Sequence, residues 1–428
     1  MLTAASRSAR FNWVVVVVAC VVLCSTETAL RLGAASPDTR FTLPNFSLGD
    51  FWGTPLGWTG LVDGVRVNRD SVQFTSLSGF FRDEPHVAVP PQDNVYVRFA
   101  GYSLLGSALA PLLGPYAAFV FTNIVFWCAA AVATYILGMW RTGSSLIAAL
   151  AAVLVSTAPA FAALAGQALP YISSYALFAM GLLVLEQARV FDRDRPSRTL
   201  ALAGFGVGGS LLFYDLYMLP AFVVAYALLV RAPIKNVLLV LVPMLLPRLL
   251  WTGYWQAAHL PSYSHNEQHP IEALAAWFDT SRMGSGLSLL KSSALLAAHG
   301  ALNIGAVFMF WPVVLAGWEL WCRRRAPETR WFLAVVVAGF APALFMLSTW
   351  PHIPRWYAYG FPAVYILAAA ATVRLSRAGA RSPAARIALA SMLVLPAVVL
   401  ANLDVVGYTK PMELLLFQPA SWSYLWSR

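Results

Sequence analysis

Charged residues make up only 11% of this 428-residue chain, whereas 59% of it is hydrophobic and its mean hydropathy is +0.66. So few charges do not cover the surface of a soluble globular domain, where they are about 25% of residues. The chain is therefore read as an integral membrane protein. Cysteine is scarce as well: Cys20, Cys24, Cys128 and Cys322 all fall in apolar runs or at a cytoplasmic edge. That placement excludes an extracytoplasmic disulfide framework. The histidine pair at zinc-ligand spacing, His265 and His269, has no second ligand pair beside it in the sequence, so no structural zinc site is expected. No internal repeat of the kind that builds two-halved carriers is visible.

What the chain does have is long apolar runs. A helix needs about 20 apolar residues to cross the hydrocarbon, and about eleven runs qualify. They lie near residues 12–33, 115–139, 144–166, 169–189, 199–213, 216–231, 236–257, 296–321, 331–350, 355–374 and 386–405. The expected fold is all-α and polytopic, with about eleven transmembrane helices and a large first loop carrying interfacial helices. Orientation follows from the basic residues, which collect in cytoplasmic loops. With the N-terminus inside, the inner loops hold Arg7, Arg10, Arg141, Arg189, Arg193, Arg195, Arg198, Arg231, Lys235, Arg323, Arg324, Arg325, Arg330, Arg374, Arg377, Arg381 and Arg386. These are seventeen of the 29 Lys and Arg. The net charge of +10 is thus a mark of topology rather than of nucleic-acid binding. The first run is too long for a signal peptide and reads as an uncleaved anchor in the inner or plasma membrane.

This gives a cytoplasmic tip and anchor at 1–33, an extracytoplasmic loop at 34–114 and a bundle at 115–257. A second outer loop follows at 258–295, then helices at 296–405 and an outer tail at 406–428. The stretch Asp63 to Gly101 concentrates charge as nothing else does: Asp63, Asp70, Asp83, Glu84 and Asp93 with Arg66, Arg69, Arg82 and Arg98. Within it Val72, Leu77, Phe80 and Phe81 form a loose helical stripe opposite Ser, Thr and Gln, as in a helix lying at the membrane interface. Two charges sit at membrane depth. Asp215 lies between Tyr214 and Tyr217, and Arg248 follows Pro247 in the outer part of its span. An unpaired Arg there costs about 2.5 kcal/mol or more, so an anionic group should meet it. Further outside lie His265, Glu267, His269 and Arg282, and near the end His352 and Arg355.

These features together resemble the GT-C membrane glycosyltransferases, in particular bacterial relatives of protein O-mannosyltransferases and of the aminoarabinose transferase. The likeness rests on an anchor followed by a large outer loop with an acid ahead of an aromatic, Asp70 and Phe74 in RDSVQF. It continues with Arg98 and Tyr102 in VYVRFAGYSLL, and with an Arg-aromatic motif before a proline-interrupted span, RWYAYGFPAVYILAAA. Two departures stand out: Asp70 comes well after the first helix, and Phe99 follows Arg98 where many members have proline.

The resemblance implies transfer of a sugar from a polyprenyl-phosphate donor to an acceptor hydroxyl at the extracytoplasmic face. Transfer to a hydroxyl needs a proton acceptor; Asp70 is the first candidate and Asp83 or Glu84 the second. A lipid phosphate in the bilayer plane suits the forked donors of arginine, which points to Arg98, Arg248 and Arg355, with Arg282 and His265 beside them. Asp83, Glu84 and His86 form a candidate site for a divalent cation such as Mg or Mn, which would neutralise the leaving phosphate. The rival readings are a polytopic transporter or flippase, and a ligase or polymerase of lipid-linked glycans. The first would carry its charges near the midplane; the second would carry its large outer loop late in the chain.

Overall fold

In a bilayer, an apolar segment satisfies its backbone by forming a helix, and nearly all the described residues are helical. The structure, a computed structural model, describes residues 6–34, 59–62, 65–84, 96–192, 194–214, 217–260, 304, 307–308, 311–346, 354–379, 384 and 391. The chain is all-α and polytopic. The only strands among the described residues are β1 (Thr59–Val62) and β2 (Val65–Asn68), an antiparallel pair with Val62 opposite Val65. The helices in order are α1 (Ser6–Ala34), α2 (Arg69–Phe80), α3 (Ala100–Leu113), α4 (Pro115–Thr142), α5 (Ser145–Ser156), α6 (Pro159–Ala165) and α7 (Tyr171–Gln187). Then follow α8 (Ser197–Gly208), α9 (Met218–Val230), α10 (Ile234–Ala257), α11 (Trp311–Cys322), α12 (Thr329–Met346) and α13 (Phe361–Gly379). Short 3-10 turns at Val97–Phe99, Gly209–Leu212 and Pro354–Gly360 lead into α3, out of α8 and into α13.

Among the described residues three segments are long and apolar enough to cross a membrane: Pro115–Thr142, Ile234–Ala257 and Tyr357–Arg377. The single span expected at 144–166 is broken. Proline lacks the N–H that would continue the helical ladder and disfavours helix in the residue before it, so α5 stops at Ser156 and α6 restarts at Pro159. At twelve residues α5 is about 18 Å long, short of the roughly 30 Å hydrocarbon thickness. Of the expected last span at 386–405 only residue 391 is described, and the tail at 406–428 lies outside the described residues.

The ends of the bundle differ in chemistry. At one end Arg141 pairs with Glu186 and packs 4.6 Å from the Trp331 ring centre. Glu319, with no exposed side chain, joins Arg323, just past the end of its helix, to Arg374 of α13 at 2.9 Å. Asn236 donates to the Asp192 carbonyl at 2.8 Å. At the other end aromatic rings gather around α2, whose residues Ser71 to Gly79 are all buried. The polar stripe expected to face the interface is covered: the Ser103 hydroxyl donates to the Phe74 carbonyl at 3.1 Å, and Thr75 bonds the Ser71 carbonyl at 2.9 Å. A polar face becomes an interior face when its groups find protein partners.

One seam sets the height of α10. Gly204 and Gly208 of α8 lie directly against the α10 backbone, where an added methyl would overlap the carbonyl oxygens of Val240 and Met244. Small residues four apart let two backbones touch in this way. Adding four to each number continues the register to residues 212 and 248. The guanidinium of Arg248 accordingly reaches the end of α8 and donates to the Leu211 carbonyl at 3.2 Å.

Candidate active site at the aromatic end

Several pieces of chain meet at the aromatic end. Phe74 of α2 stacks on Tyr96 with centroids 4.3 Å apart and meets Tyr102 of α3 edge-on at 5.5 Å. Tyr102, fully buried, donates to the Asn123 side chain at 3.0 Å. Burial holds its phenol well above the ordinary range, so it stays a neutral donor. The Asn123 amide in turn donates to the Gln167 carbonyl at 2.5 Å, just ahead of α7. Phe99 lies 5.1 Å from Tyr214, and Tyr214 lies 5.3 Å from Tyr171 in the first turn of α7. One turn on, Ser174 is 2.7 Å from the Tyr359 hydroxyl in the Pro354–Gly360 turn.

This chain of contacts locates the backbone segments that carry the expected site residues. Arg98 is the middle residue of the Val97–Phe99 turn, next to Phe99. Asp70 is the second residue of α2, one turn before Phe74. Arg355 is four residues before Tyr359 in its own turn. Arg248 brings its guanidinium carbon 4.8 Å from the Phe99 ring centre. The segments bearing all four, far apart in sequence, therefore pack at one end of the bundle. The amino ends of α3, α7 and α13 lie there too, each carrying about half a positive charge.

Asp83 and Glu84 are placed differently. They follow the far end of α2, and ten helical residues separate Asp70 from Phe80 by about 15 Å. Both are exposed, and Glu84 is engaged by Arg82, whose Nε donates to it at 2.7 Å. Among the described residues no three His, Cys, Asp or Glu side chains are placed to share an ion. A cation on Asp83 and Glu84 would compete with Arg82 for the Glu84 Oε1. His86, Asp215, His265 and Arg282 lie outside the described residues.

No protein-family model matches the sequence, and a comparison with curated proteins finds no match. Solved structures do match. ArnT from Cupriavidus metallidurans bound to undecaprenyl phosphate superposes with a TM-score of 0.55 at 16% identity, over 93% of this chain and 76% of ArnT. Its apo form gives 0.52 at 15% identity, over 84% and 74%. The Archaeoglobus fulgidus oligosaccharyltransferase, tethered to an acceptor peptide with an NVT sequon, gives 0.51 at 14% identity, over 92% of this chain and 55% of that one. The chain has the GT-C fold. It spans about half the length of the oligosaccharyltransferase.

Within the GT-C fold, the sequence reading passed over several residues that the structure brings forward. Trp251, one turn after Arg248, donates to the Val97 carbonyl at 3.4 Å. Asn123 is the lone amide in the apolar run FVFTNIVFW and ties α3, α4 and the segment before α7 together. Glu27 is a carboxylate only 5% exposed in the apolar anchor α1. Its signal was available, since an acid inside a membrane helix is a functional candidate by default.

Proposed function

We propose that the chain is a glycosyltransferase that uses a polyprenyl-phosphate-linked sugar and transfers the sugar to an acceptor hydroxyl at the extracytoplasmic membrane face. The observation that carries this is the packing of the Asp70, Arg98 and Arg355 segments at one end of the bundle, ringed by helix amino ends. That end suits an anion arriving in the plane of the bilayer. The likeness to an ArnT structure holding undecaprenyl phosphate favours the same class of donor.

In this reading Asp70 accepts the proton of the acceptor hydroxyl as its oxygen attacks the anomeric carbon. The bond from that carbon to the phosphate oxygen breaks, and polyprenyl phosphate leaves with the bonding pair. Arg98 and Arg355 hold the charge that develops on it, with Arg282 and His265 of the 258–295 segment as further donor contacts. The arginine-rich end faces the cytoplasm, by the rule that Lys and Arg stay inside, so the aromatic end faces out in the inner or plasma membrane.

Mass spectrometry of surface glycans and glycolipids in cells with and without the protein tests this. A sugar substituent lost on deletion and restored by the intact gene is expected. An unchanged glycan profile with lipid-linked sugar redistributed between leaflets would instead mark a flippase.

A further inference from the structure

The turn that carries Arg98 is gripped on both sides by one helix. Val97 precedes Arg98, and its carbonyl accepts a hydrogen bond from Trp251 Nε1 at 3.4 Å. Phe99 follows, and its ring lies 4.8 Å beneath the guanidinium carbon of Arg248. Arg248 and Trp251 are three residues apart on α10, hence on one face. The same guanidinium donates to the Leu211 carbonyl at the end of the Gly209–Leu212 turn, where a cation complements the negative end of α8. Around this pair Val97, Leu77 and Trp255 close a buried cluster, with Phe81 6.4 Å from Trp251.

A guanidinium that stacks on a ring while donating in its own plane to a carbonyl is using both faces of arginine chemistry. We infer that Arg248 is a positioning residue, which with Trp251 fixes the Val97–Phe99 turn so that Arg98 meets the donor phosphate, rather than a phosphate ligand itself. This rests on the proposed use of a lipid-phosphate donor and refines it. The glycine seam of α8 completes the device, because it sets the height at which α10 presents Arg248 to Leu211 and Phe99.

The test is a double-mutant cycle on the full chain in nanodiscs, reading the Kd for undecaprenyl phosphate and the thermal midpoint. Arg248→Met and Trp251→Phe should each weaken binding, the first by about tenfold, in keeping with the loss of one charged hydrogen bond and one cation–π contact. On an Arg98→Ala background neither should weaken it further, since the turn they hold no longer carries its donor. Arg248→Lys should behave like Arg248→Met, because an ammonium cannot stack and fork at once, although it binds phosphate well as a point charge. Additive losses in the cycle, or full binding by Arg248→Lys, would make Arg248 a direct phosphate ligand and overturn the inference. If Arg248→Met does not fold, the Trp251→Phe arm decides by the same criterion. An Arg98→Ala protein that binds undecaprenyl phosphate as tightly as wild type would instead defeat the use of Arg98 in the proposed function.

Discussion

Replacing Asp70 with asparagine is expected to abolish sugar transfer while leaving the fold in place. The amide has the size of the carboxylate but accepts no proton, and a positioned general base contributes about 100- to 10,000-fold. Asp70 is the second residue of α2, where the amino end of a helix stabilises an ionised carboxylate. Asparagine still offers an oxygen to the first-turn N–H groups, so α2 itself should form. The contrast lies in Asp83→Asn and Glu84→Gln. Both residues are exposed, and they lie beyond the opposite end of α2, about 15 Å or more from Asp70. Each should retain at least half of wild-type transfer. Activity retained by Asp70→Asn and lost in either of these would move the base to the far end of α2. The readout is sugar incorporation in the deleted host complemented with each variant, normalised to protein in the membrane.

The second large effect belongs to the α8–α10 seam. A methyl on Gly208 would lie 2.9 Å from the Met244 Cα, against the roughly 3.5–4.0 Å of a comfortable carbon contact. The atoms in the way are backbone, so no side chain can turn aside. Gly208→Ala should therefore force α10 outward and cost about 3 kcal/mol, read as a lower thermal midpoint of the purified protein. Whatever folds should also bind lipid phosphate weakly, because Arg248 and Trp251 ride on the displaced helix. Gly206→Ala is the control: nothing lies within 4 Å of a methyl there, and alanine in a helix interior is favoured over glycine by about 1 kcal/mol. Equal stability of the two variants would mean that the seam does not set the position of α10.

The architecture was legible where it depends on local pattern. Apolar run length marked α1, α4, α7 and α10, and the clusters of arginine marked the end where Arg141, Arg323 and Arg374 meet Glu186 and Glu319. Other local signals were present but not used. Asp63-Gly64 between β-prone residues is a strong hairpin cue, and Val62 does pair with Val65 across it. Pro159 should have divided the run at 144–166.

What sequence could not give was the set of partners. Arg248 was conspicuous as a charge at membrane depth, but the groups it meets are a carbonyl 37 residues away and a ring on the far side of the chain's first half. The polar stripe of α2 looked solvent-facing because periodicity reports which residues are alike, not what covers them. The helix is covered in part by α3, whose Ser103 bonds the Phe74 carbonyl 29 residues away in sequence.

A structure of the full chain with undecaprenyl phosphate in nanodiscs bears most directly on the whole account. The phosphate is expected at the aromatic end, within hydrogen-bonding distance of Arg98 in the Val97–Phe99 turn and beside the Pro354–Gly360 turn that holds Arg355. A phosphate seated instead at the opposite end, among Arg141, Arg323 and Arg374, would contradict it.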